Sequence, residues 1–78
     1  MKLLELACNL CDGYNVKLIG DVRGKVLKTL TTEKIPQSPF KHLDVHGFCP
    51  SMEFSTDIIR PALEVWVSET EYREAQGK

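Results

Sequence analysis

The sequence has no run of about 18 consecutive apolar residues of the kind that spans a bilayer. Glu5 interrupts the opening Met1-Lys2-Leu3-Leu4 before the apolar stretch of a secretory leader can form. A cytoplasmic location without a membrane partner is the expectation. An excess of one charge is also missing: ten basic against eleven acidic side chains leave a net charge of −1. No basic field gathers phosphates, so direct nucleic-acid binding is not expected. Cysteines number three, an odd count that argues against a disulfide framework and fits a reducing compartment. No nucleophile elbow, phosphate loop or metalloprotease helix occurs, and Ser38, Ser51, Ser55 and Ser68 lack any context that would activate them. The sequence points away from an enzyme and calls for no cofactor.

What is present is an ordinary globular mix, 42% apolar and 27% charged over 78 residues. That length holds one domain with a small core, and such cores often lean on a disulfide, a metal or an oligomeric partner. The reading is a single α+β domain over residues 1–68, followed over 69–78 by a charged tail, helical or disordered, whose one aromatic is Tyr72.

Local patterns supply the elements. In residues 2–12, Leu3, Leu4, Ala7, Leu10 and Cys11 recur at spacings of three and four, which predicts an amphipathic helix stopped by Gly13. Alternation takes over at 15–19, predicting a first strand with Val16 and Leu18 on one side. Gly20 to Gly24 then predicts a hairpin turn into a second strand over 25–32, on which Val26 and Leu30 share a side. Pro36 and Pro39 make 32–40 a connection in which Ile35 and Phe40 plug the core. Leu43 and Val45 alternate with polar residues, predicting a third strand over 42–46. Residues 49–57 look rich in turns, and Ile58 and Ile59 lead back to the sheet. The run 62–68 is the clearest strand, with the strongest claim to the sheet centre. Together these predict an N-terminal helix packed on one face of a three- to four-stranded antiparallel sheet.

Several residues have the chemistry of a site. Cys8 and Cys11 have redox-motif spacing, but they fall at the negative end of their helix beside Asp12, where a thiolate is disfavoured. Two small buried side chains are the expectation there. His42, Asp44 and His46 would share one face of the third strand, and with a cysteine the histidines could hold a metal. A solvated strand face explains the same spacing. Glu64 and Trp66 fall opposite Leu63, Val65 and Val67. An uncovered tryptophan there is a binding anchor, whereas cover from Met52, Phe54 or Tyr72 would make it a second minor core.

The order of segments, from KLLELACNLCDGYNVKL through DVRGKVL and EKIP to ALEVWVS, resembles that of small α+β proteins encoded by phages and mobile elements of Firmicutes-like bacteria. The resemblance covers roughly residues 1–68 and departs at the insertion 47–60. It implies an accessory protein that acts by binding and blocking a host protein, such as a component of a defence system. No residue role carries over from it. The expectation is a non-enzymatic protein-interaction module using Trp66, Glu64, His42, Asp44 and His46, with a second copy of the chain as one candidate partner. A small metal-binding domain built on His42, His46 and cysteine is the alternative.

Overall fold

The computed structural model describes residues 1–10, 13–54 and 59–77. It contains helix α1 (Leu3–Cys8), strands β1 (Asn15–Gly20) and β2 (Val26–Thr31), a 3-10 helix (Thr32–Gln37), strands β3 (Gly47–Phe54) and β4 (Ile59–Val67), and helix α2 (Glu69–Gln76). The strands form one four-stranded sheet in the order β2-β1-β4-β3. The sheet is mixed rather than antiparallel throughout: β1 pairs antiparallel with β2 but parallel with β4, which is itself antiparallel to β3. In the parallel pair β1 and β4 set their buried side chains next to one another, Val16 against Leu63 and Leu18 against Val65. Local patterns carry no information about that crossover.

The β1–β2 hairpin closes where the Gly20 and Gly24 amides donate to the carbonyls of Lys25 and Gly20 at 2.9 and 3.0 Å. Gly24 takes a φ of +66°, which a side chain would disfavour. A bulge corrects the expected faces of β2. Leu18 opposes Lys28 while Ile19 opposes Val26, so Leu27 has no partner and the alternation flips there. Leu30 is therefore buried and Val26 exposed, on opposite sides of the sheet.

Residues 42–46 are not a strand of the sheet. Their backbone serves the N-terminus instead: the Leu3 and Leu4 amides, left unpaired at the start of α1, donate to the Leu43 and Lys41 carbonyls at 2.8 and 2.9 Å. The Val45 amide donates to the Met1 carbonyl at 2.8 Å, and Lys2 and Asp44 form an isolated antiparallel bridge. The third strand is β3, built from residues that read as turns because Pro50 and Ser51 are poor strand formers. Pro50 is tolerated because β3 lies at the edge.

One hydrophobic cluster forms the core. It joins Leu3, Leu6 and Ala7 of α1, Ile35 of the 3-10 helix and Phe40 and Leu43 of the connection to Val16, Leu18, Leu30, Leu63, Val65, Val67 and Tyr72. The contacts of α1 run chiefly to the 3-10 helix. Residues 69–76 are helix α2, whose Tyr72 stacks on Phe40 with ring centroids 4.8 Å apart and 12° between planes. The Tyr72 hydroxyl donates to the Leu27 carbonyl at 3.3 Å. Helix α2 is capped twice at its start, with Ser68 Oγ accepting from the Glu71 amide and Asp21 Oδ1 from the Glu69 amide, each at 3.3 Å. Glu33 ties the 3-10 helix to the loop before β1 by accepting from the Gly13 amide at 3.0 Å.

Candidate functional site

The sheet presents its two faces unequally. Val16, Leu18, Leu63, Val65 and Val67 point into the cluster, whereas register places Ile19, Glu64 and Trp66 on the other side. We call this the outer face. Trp66 sits between Ile19 of β1 and Gly47 of β3, and the missing Gly47 side chain leaves one flank of the indole open. The indole is half-buried; Ile19 beside it is only 5% exposed, while Val26, paired with Ile19 on β2, is 56% exposed. Ile19 and the buried Ala62 lie outside the main cluster. The expected covers of Trp66 are engaged elsewhere. Tyr72 is part of the main core, and Met52 opposes Pro61 on the cluster side of the sheet. The Phe54 side chain lies outside the described residues.

The five residues expected to share a binding surface are dispersed. Glu64 and Trp66 alternate with buried Leu63, Val65 and Val67 on β4. His46 is exposed, and its amide donates to the Trp66 carbonyl at 2.9 Å, so its backbone adjoins the same strand end. Asp44 is engaged by Lys2, with Nζ 2.8 Å from Oδ1. Their hydrogen bond holds the Asp44 carboxyl below the usual carboxylate range and raises the Lys2 ammonium above its ordinary value. His42 stands apart. It lines a shallow cleft of about 390 Å³ between α2 and the connection, with Pro39, Lys41, Leu43, Glu71 and Glu74 among its neighbours. Among the described residues no hydroxyl or thiol side chain lines that cleft.

Loss of the expected third strand also removes the shared face proposed for His42, Asp44 and His46. Among the described residues no group of three or more His, Cys, Asp and Glu side chains is placed to hold a metal ion. Cys8, expected to be buried, is exposed at the end of α1, because the helix stops at Asn9, whose Nδ2 donates to the Glu5 carbonyl at 2.9 Å. Cys11 and Ile58 lie outside the described residues. Cys49 is exposed on β3, opposite Glu64.

Sequence alternation places Trp66 on the side of β4 where the structure has it, but it misses two apolar features. Val26 joins the outer face only because of the Leu27 bulge. Phe48, Met52 and Ile59 are 51%, 61% and 63% exposed on a hairpin that the turn-like composition of residues 49–57 concealed. Among the described residues no helix is long and apolar enough to cross a membrane. No family model, curated protein or solved structure matches this chain.

Proposed function

We propose that this chain is a non-enzymatic protein-binding module whose partner docks on the outer face of the sheet around Trp66. The observation that carries the reading is a half-buried tryptophan beside Ile19 and exposed Val26, on the face turned away from the main cluster. An amphipathic aromatic of this kind, set in apolar neighbours and ringed by polar side chains, is the usual anchor of a protein interface. Lys17 and Glu64, at paired positions one row from Trp66, supply such a rim.

Both sheet edges favour docking on the face over addition of a strand. On β2 the Leu27 bulge breaks the regular edge, and the Leu27 carbonyl already accepts from Tyr72. On β3 Pro50 lacks an amide donor. The resemblance to small phage and mobile-element proteins makes a bacterial host protein, such as a defence component, the class of partner, and blocking its surface the mode of action.

The test compares capture from nuclease-treated bacterial lysate by the full chain and by Trp66→Ala, followed by titration of the enriched protein. The reading expects a hot-spot loss, at least about tenfold in affinity, with circular dichroism and thermal midpoint close to those of the parent chain. Equal binding by a folded Trp66→Ala protein overturns it. Unfolding of the variant shows Trp66 to be core and also counts against the proposed surface.

A further inference from the structure

We draw no further inference here: the strongest candidate, the exposed apolar face of the β3–β4 hairpin that carries Phe48, Met52 and Ile59, supports none, because nothing in the structure shows what covers it.

Discussion

Tyr72 gives the sharpest test of how the fold is held. It is 7% exposed, stacks on Phe40 at 4.8 Å and donates to the Leu27 carbonyl at 3.3 Å. It therefore binds α2 to the connection and to the bulged strand β2. Truncating a buried aromatic to alanine costs about 3 to 5 kcal/mol. A domain of this length has roughly 4 to 12 kcal/mol in total, so Tyr72→Ala should remove about a quarter or more of the stability. Tyr72→Phe keeps the stacked ring and loses only the hydrogen bond. Leu27 is half-buried, so water can replace the hydroxyl, and the cost should be about 1 kcal/mol or less. Urea unfolding followed by far-ultraviolet circular dichroism distinguishes the two, provided the denaturant slope is unchanged. A Tyr72→Ala protein less than about 1 kcal/mol below the parent would refute the claim that α2 is part of the core.

Other consequences follow from close contacts and charges. A Cβ on Gly20 would stand 2.5 Å from Glu69 Cγ and 2.7 Å from Oε1. Overpacking of about 1 to 3 kcal/mol, less the roughly 0.4 to 1 kcal/mol that alanine gains in the unfolded chain, leaves Gly20→Ala a net cost of up to about 2.6 kcal/mol. Glu69→Ala should restore most of it in the double variant, and a purely additive thermal shift would contradict the clash. Asp44 is held low by Lys2, and Glu33 by backbone amides, its own and that of Gly13. These carboxylates contribute stability above their unfolded-state pKa values and lose it as pH falls through the lower folded-state values. Lys2, raised by Asp44, has the opposite dependence, and its contribution is lost as pH rises through its folded-state value. All three are at the surface, so the effects are small. Asp44→Asn should flatten the acid limb of a stability–pH curve, and an unchanged limb would contradict the pairing.

The sequence made some elements legible and hid others for physical reasons. The β1–β2 hairpin was visible because Gly24 needs a positive φ, and β4 because 62–68 alternates with β-rich residues. The 42–46 segment misled because Leu43 and Val45 do turn inward, Leu43 into the cluster and Val45 against it. They do so from a segment hydrogen-bonded to the N-terminus rather than from a sheet strand. Strand β3 was hidden by Pro50, which only an edge position permits. The mixed sheet was hidden because the parallel partnership of β1 and β4 joins residues nearly fifty positions apart, from Asn15–Ala62 to Gly20–Val67. Of the candidate site, Trp66 and Glu64 were placed correctly by simple alternation on β4. The expected convergence of His42, Asp44 and His46 depended on a strand that does not exist.

The central claim, that the Trp66 face is open to a partner, can be tested without knowing that partner. Trp66 is the chain's single tryptophan, so the intrinsic fluorescence of dilute native protein reports on that face alone. An open outer face predicts emission between that of a buried and a solvated indole, together with clear quenching by acrylamide that remains below that of the urea-unfolded chain. Native emission that is strongly blue-shifted and shielded from acrylamide would show the indole to be enclosed and would contradict the account.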